Sequence, residues 1–267
     1  MDPLIITATP NVCWLQPDVD YPRTPAAMAE EAARCREAGA SILHMHAEDW
    51  TGTIDAVRAA TDLVVQCGMS SHAIPERMDV FRHGADMISI ITSHHDEAFA
   101  GLDVHVLHPR EELEEYGRLS REYGTRLEYE IWHTGSIWNL EYLIRAGAID
   151  PPYFTSLFFG WPGGSWSPPT VEEYRHRRRC LPDGAVATVS IMGEGQLDVL
   201  AAAITHGDHV RVGTEDQPCL HDGALGTTHE LVREVRLLAD AAGRRIATPD
   251  EARGMIGIAP AGHAVIP

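Results

Sequence analysis

The residues of this 267-residue chain best suited to chemistry begin with Leu43-His44-Met45-His46, two histidines at i and i+2 behind the apolar run Ser41-Ile42-Leu43. A strand turns alternate side chains to one face, so both imidazoles point the same way and can grip one ion. Two nitrogen ligands leave positions for a carboxylate and for a substrate, the pattern of a catalytic zinc (Zn2+) site. The alternative is a hydrogen-bonded histidine pair that positions a substrate without metal. A second segment, His209-Val210-Arg211-Val212-Gly213-Thr214-Glu215-Asp216, carries an arginine on a strand with two acids just beyond it. An unpaired buried charge is costly, which favours pairing Arg211 with those acids. On this reading Asp216 holds the guanidinium and Glu215 completes a metal shell with His44 and His46; an ordinary surface loop after the strand is the alternative. His94 and His95 fall in a polar loop and are expected outside that shell or at the surface.

Short β-branched runs alternate with helical patterns along the whole chain, which argues for parallel strands with helices packed outside. The strands expected are Leu4–Thr9, Ser41–His46, Asp62–Cys67, Met87–Thr92, Arg126–Trp132, Phe154–Phe159, Ala185–Ile191 and His209–Gly213. The clearest helices are Ala26–Ala38, Arg110–Tyr123, Leu197–Thr205 and His229–Ala242. Eight repeats without linker composition point to an α/β fold, a closed (β/α)8 TIM barrel. It forms a single domain over residues 1–267, with a short C-terminal capping helix at 249–257. A doubly wound sheet would carry a glycine-rich first turn, and Thr9-Pro10-Asn11 stands there instead. Barrel chemistry sits at the C-terminal strand ends. The polar residues expected there are Asn11, His44 and His46, Ser70 and Ser71, Thr92 with His94 and His95, Glu128 and Glu130, and Arg211 with Glu215 and Asp216.

The balance of 21 basic to 39 acidic residues gives a formal charge of -18. Such a field repels phosphate backbones and anionic bilayers, so neither nucleic acid nor a membrane is expected as a partner. Five scattered cysteines form no CxxC and suggest neither a disulfide frame nor a thiolate zinc knuckle. The first segment, MDPLIITATP, has no basic start or long apolar stretch, and no run approaches the roughly 20 apolar residues of a membrane span. A soluble cytoplasmic protein is expected.

In the segments Leu4-Ile5-Ile6-Thr7-Ala8, Ala38-Gly39-Ala40-Ser41-Ile42-Leu43-His44-Met45-His46 and Glu128-Tyr129-Glu130 the chain resembles the β-keto acid cleavage enzymes. Further matching segments are Phe159-Gly160-Trp161-Pro162-Gly163-Gly164, His209 to Asp216, and Ala247-Thr248-Pro249-Asp250-Glu251-Ala252-Arg253. The resemblance implies a TIM barrel with one zinc on His44, His46 and Glu215. It implies a homotetramer that condenses a β-keto acid with acetyl-CoA, giving acetoacetate and a new acyl-CoA. It assigns activation of the substrate to Arg211 and Asp216. Ser70 or Ser71, Thr92 and one of Glu128 and Glu130 then help to hold it. With Glu130 counted as catalytic, the expected substrate contacts are Asn11, Ser70, Ser71, Thr92, Glu128, Gly163 and Gly164.

The chain departs from the family pattern at Ala47, where an arginine is common, and at Met192-Gly193-Glu194-Gly195, where an acid replaces a base. His133 stands in place of an acid that often follows the Glu-x-Glu strand. An acid at 194 would repel CoA phosphates, so a CoA-independent, metal-dependent carbon–carbon lyase or hydrolase of a dicarbonyl acid is the alternative. Trp14, Trp132, Trp138, Trp161 and Trp166 are expected to crowd the mouth or to pack individually. The basic run Arg175-His176-Arg177-Arg178-Arg179 reads as a solvated outer helix face or a subunit contact, with CoA phosphates as a lesser option.

Overall fold

The computed structural model describes residues 1–13, 15–16, 19–99, 102–161 and 166–259, with the backbone alone for 95–99 and 102–104. Strands β1 (Ile6–Ala8), β2 (Ile42–Met45), β3 (Val64–Cys67) and β4 (Met87–Ile91) are followed by a hairpin of β5 (His95–Phe99) and β6 (Leu102–Val106). Then come β7 (Arg126–Ile131), β8 (Tyr153–Phe159), β9 (Ala185–Ile191) and β10 (His209–Val212). Eight of them close a parallel barrel in the order β1-β10-β9-β8-β7-β4-β3-β2. Closure rests on β1, which pairs with β10 through Thr7 and Arg211 and with β2 through Thr7 and Ile42.

The helices are α1 (Pro25–Ala38), α2 (Trp50–Ala60), α3 (Ile74–His83), α4 (Arg110–Tyr123), α5 (Thr134–Arg145), α6 (Val171–Cys180), α7 (Gln196–His206), α8 (Thr228–Ala241) and α9 (Pro249–Ile256). Local chemistry fixes their ends. Thr24 caps α1 by accepting the Ala27 N–H, with proline opening the helix and Gly39 closing it at φ 125°. Thr248 and Glu251 form a capping box on α9.

The period-two alternation of each strand divides the interior into layers. One set of alternate residues, such as Leu43, Val65, Ile88 and Val210, packs outward in the main core with the helices. The opposite set begins at the N-terminal end with an apolar layer of Ile5, Ile42, Val64, Met87 and Phe154. Ala252 and Ile256 of α9 seal that layer, so the capping helix closes the floor. Above it the inward positions turn polar, with Thr7, His44, Gln66, Ser89, Glu128, Ser156, Thr188 and Arg211 all buried. Buried polar groups are costly unless paired, so a polar layer in the middle of a barrel marks a working interior.

All eight expected barrel strands are present within one or two residues. The hairpin β5–β6 corrects the expectation of a polar loop around His94 and His95: His95 opens an antiparallel pair outside the barrel, facing Val106. The basic run also needs correction. It lies on α6, but Arg177 is fully buried. Its guanidinium donates to the carbonyls of Ile131 (3.1 Å), Trp132 (3.0 Å) and Phe158 and lies over the Phe159 ring. Arg178 pairs with the buried carboxylate of Asp208 at 2.7 Å. Among the described residues, no helix is long and apolar enough to cross a membrane.

Candidate active site

His44 lies on the inward face of β2 one residue before its end, and His46 follows one alternation later, just past the strand. The His44 Nε2 lies 3.3 Å from the His46 Nε2. Glu215, on the turn after β10, places Oε1 3.3 Å from the His46 Nε2 and Oε2 3.5 Å from the His44 Nε2. An ion held tetrahedrally at about 2.0–2.1 Å has ligand–ligand edges of about 3.3–3.4 Å, so the three donors already stand at the separations such an ion requires. Glu215 Oε2 is buried and accepts no hydrogen bond, an orphaned acceptor that a cation satisfies. Burial, and then the charge of Arg211, pushes the His44 imidazole well below its ordinary value. It therefore stays neutral and offers a lone pair. Burial alone would raise the Glu215 carboxyl; Arg211 and the two histidines outweigh it and hold it well below the usual carboxylate range. The donor set fits a divalent metal, and among the described residues these three form a group able to hold one.

Two neighbours shape the triad. The side chain of Asn11 clamps the backbone of His46: Oδ1 accepts the His46 N–H at 2.9 Å, and Nδ2 donates to the His46 carbonyl. The next residue, Val12, has φ 62°, a left-handed conformation that a β-branched residue adopts only under constraint. The second neighbour is Gly68, just past β3. A Cβ there would lie 2.6 Å from the His44 Nε2 and 2.7 Å from the His46 Nε2, so only glycine leaves the shared face of the imidazoles clear.

Arg211 joins the triad to a second acid. Its Nη2 lies 2.8 Å from Glu215 Oε1 and donates to Asp216 Oδ1 at 2.9 Å, while Nε reaches both Asp216 oxygens at 3.2 Å. Ser190 donates its hydroxyl to Asp216 Oδ2 at 3.0 Å. Burial, opposed by Arg211, leaves the Asp216 carboxyl pushed up to about 6. On β7, Glu128 accepts from the Ser156 hydroxyl, and its Oε2 has no hydrogen-bond partner. Glu130 accepts from the Trp132 indole at 3.1 Å. Burial, and then the neighbouring Glu128, push Glu130 up to about 8, so this carboxyl is protonated near neutrality.

The expected site residues thus divide. His44, His46, Glu215, Arg211 and Asp216 converge, with Glu128 and Glu130 buried in the adjoining part of the barrel. Asn11 is committed to the His46 backbone. Thr92 lies just past the end of β4, and its hydroxyl is committed to the carbonyls of Glu130 and Ser136. Ser70 and Ser71 fall in the turn after Gly68, where the Ser70 carbonyl accepts from the buried Arg77 at 2.9 Å. Gly163, Gly164 and Trp14 lie outside the described residues. Trp132, Trp161 and Trp166 gather at the mouth, whereas Trp138 is exposed on α5. Gly68 and Ser190 were not foreseen. Their signals were faint: a glycine directly after a strand, and a serine at an inward alternate position of Thr188-Val189-Ser190.

Fold and site together define a (β/α)8-barrel enzyme with a histidine–histidine–glutamate triad beside a buried arginine at the C-terminal mouth. The chain belongs to the β-keto acid cleavage enzyme family, whose model matches residues 3–258. A 3-keto-5-aminohexanoate cleavage enzyme of Fusobacterium nucleatum is 30% identical over 281 residues, covering 97% of this chain and 99% of the relative. A 3,5-dioxohexanoate:acetyl-CoA acetone transferase of Paraburkholderia graminis is 26% identical, with 95% of each chain covered. Among solved structures, apo ObcA superposes with a TM-score of 0.72 at 17% identity over 89% of this chain; the match spans 65% of ObcA. That likeness concerns the fold alone.

Proposed function

We propose that this protein is a zinc-dependent acyltransferase that exchanges the acyl part of a β-keto acid with acetyl-CoA. In the overall reaction R–CO–CH2–COO⁻ and acetyl-CoA become acetoacetate and R–CO–CoA. The observation that carries the reading is the triad of His44, His46 and Glu215, with edges of 3.3 to 3.5 Å, in a chain of this family. The names of relatives that use acetyl-CoA support the co-substrate. A zinc ion on the triad would act as a Lewis acid, drawing charge from a carbonyl oxygen and making the C2–H between the two carbonyl groups acidic.

The chain's own groups supply the rest. Arg211 bonds Asp216 and Glu215 through Nε and Nη2, leaving Nη1 to turn to the substrate carboxylate. Asp216, poised near 6 and oriented by Arg211 and Ser190, takes the C2 proton. The carbanionic carbon attacks the acetyl thioester and releases CoA thiolate. That thiolate then attacks the distal keto carbon, and the bond between this carbon and C2 breaks. The proton returns to C2 of the departing acetoacetate. Glu130, protonated near neutrality, donates a hydrogen bond to the oxygen on which charge develops. Glu128, Ser70 and Ser71, with Gly163 and Gly164, are assigned to the substrate's surroundings, while Asn11 acts through the backbone of His46 and Thr92 through the carbonyl of Glu130.

A homotetramer in the reducing cytoplasm completes the proposal. The family resemblance supports the tetramer, and five free cysteines suit a reducing compartment. Incubation of zinc-loaded protein with a panel of β-keto acids, with and without acetyl-CoA, tests the reaction. Acetoacetate and a new acyl-CoA should appear only when both substrates are present. Turnover without acetyl-CoA would instead support a lyase or hydrolase.

A further inference from the structure

His44 and Gln66 stand side by side on the inner face of the barrel. They are register partners on β2 and β3, and both are buried. The His44 Nε2 faces His46 at 3.3 Å and Glu215 at 3.5 Å, so Nε2 is the atom that offers a lone pair to the triad. A neutral imidazole with its lone pair on Nε2 carries its proton on Nδ1. Among the described residues that Nδ1 is buried with no partner at close hydrogen-bond geometry. Ligating histidines almost always donate this second N–H to an acceptor, which fixes the ring and its tautomer.

The same polar layer holds both amide atoms of Gln66 and the Oε2 of Glu128, each buried and likewise without a close partner. The other oxygen of Glu128 takes the Ser156 hydroxyl. One alternation nearer the floor, the strands of His44 and Gln66 carry Ile42 and Val64, which have no polar side-chain atom. On β4, which separates β3 from β7 in the barrel, Ser89 donates its hydroxyl to the Cys67 carbonyl at 3.1 Å. Gln66 is near enough to act on both of its titratable neighbours. Burial is the largest influence on each, pushing His44 down and Glu128 up, and the amide opposes it at both. An acceptor beside an imidazole and a donor beside a carboxylate have those effects.

Left unpaired, these buried groups would be costly. Two donors, His44 Nδ1–H and Gln66 Nε2, face two acceptors, Gln66 Oε1 and Glu128 Oε2. The four pair completely in one way only.

We infer that Gln66 is a positioning residue of the triad: its Oε1 accepts the Nδ1–H of His44, and its Nε2 donates to Glu128 Oε2. One amide thus fixes the tautomer and ring orientation of His44 and ties that ring to the acid on β7. The two histidines are then held by different means, His46 through its backbone by Asn11 and His44 through its ring by Gln66. The inference rests on the proposed metal site in one respect, that a fixed His44 serves zinc.

The test has two arms. In the first, nitrogen-15 NMR of the histidine rings in zinc-free wild type should show His44 protonated on Nδ1, with that proton protected from exchange. Folded Gln66→Met, which keeps the volume and removes both hydrogen bonds, should lose the protection. In the second, chelator competition should show zinc bound about 10- to 100-fold more weakly by Gln66→Met at unchanged stoichiometry. Gln66→Glu, which keeps an acceptor facing His44, should retain most of the wild-type affinity. A wild-type His44 protonated on Nε2, or with an unprotected Nδ1 proton, would overturn the inference even if no variant folds. Wild-type zinc affinity in folded Gln66→Met would overturn it as well. If wild type binds no zinc at all, the proposed metal site fails, and the NMR arm alone decides whether Gln66 holds the ring.

Discussion

Asn11 and His46 come from different strand ends, yet one amide side chain bonds both the N–H and the carbonyl of the histidine backbone. His46 is therefore held by the end of β1 as well as by its own strand. Outer groups that orient a ligand commonly contribute 10- to 100-fold to metal affinity. Asn11→Ala should weaken zinc binding by about 10- to 100-fold without changing its stoichiometry, as measured by chelator competition. Wild-type affinity in that variant would show the clamp to be structural only.

Gly68 has a different relation to the triad, since it acts by having no side chain. Gly68→Ala would press a methyl group against both Nε2 atoms. Folded Gly68→Ala should lose stoichiometric zinc and activity together, read by metal analysis alongside circular dichroism. Retention of one zinc per chain would mean that the imidazoles open toward another face.

Arg211→Met separates binding from turnover. Zinc should remain on His44, His46 and Glu215, while acyl exchange falls to background. The variant also leaves Asp216 and Glu215 without their cation, and breaking a buried pair typically costs about 3–5 kcal/mol. Denaturant titration should therefore show a clear loss of stability. Full activity in Arg211→Met would remove the residue from the mechanism.

His209 supplies a pH dependence independent of the active site. Its Nδ1 accepts the Ile5 N–H at 3.1 Å. Burial, then the Arg244 charge, pushes it down to about 3. The unfolded chain takes up this proton near pH 6.5, while the folded chain resists until about 3. The contribution is thus fully present above about pH 6.5 and is lost as pH falls. Relative to His209→Gln, wild-type stability should decline by about 1.4 kcal/mol per pH unit below that point. A flat difference between the two across pH 4–6 would show that His209 is protonated in the fold.

Much of this was legible in the sequence because barrel strands are buried on both faces and read as compact β-branched runs. His44-x-His46 was legible because strand period alone puts both rings on one side. Glu215 needed more, since its place beside histidines far away in sequence depends on β1 joining β10 to β2. Gly68 was hidden because its role is an absence of atoms. Arg177 was misread because a run of charges suggests solvent, whereas helical geometry turned one of the five residues inward onto strand-end carbonyls. The β5–β6 hairpin was missed because His-Asp-Glu-Ala-Phe has no apolar alternation to mark a strand.

The most direct test of the central claim is zinc content measured together with acyl exchange in wild type and His46→Ala. The account predicts about one zinc per chain in wild type, loss of exchange on chelation and its return on adding zinc. It predicts neither zinc nor exchange in folded His46→Ala. Stoichiometric zinc in that variant, or undiminished exchange in chelated wild type, would contradict the assignment of His44, His46 and Glu215 as the metal site.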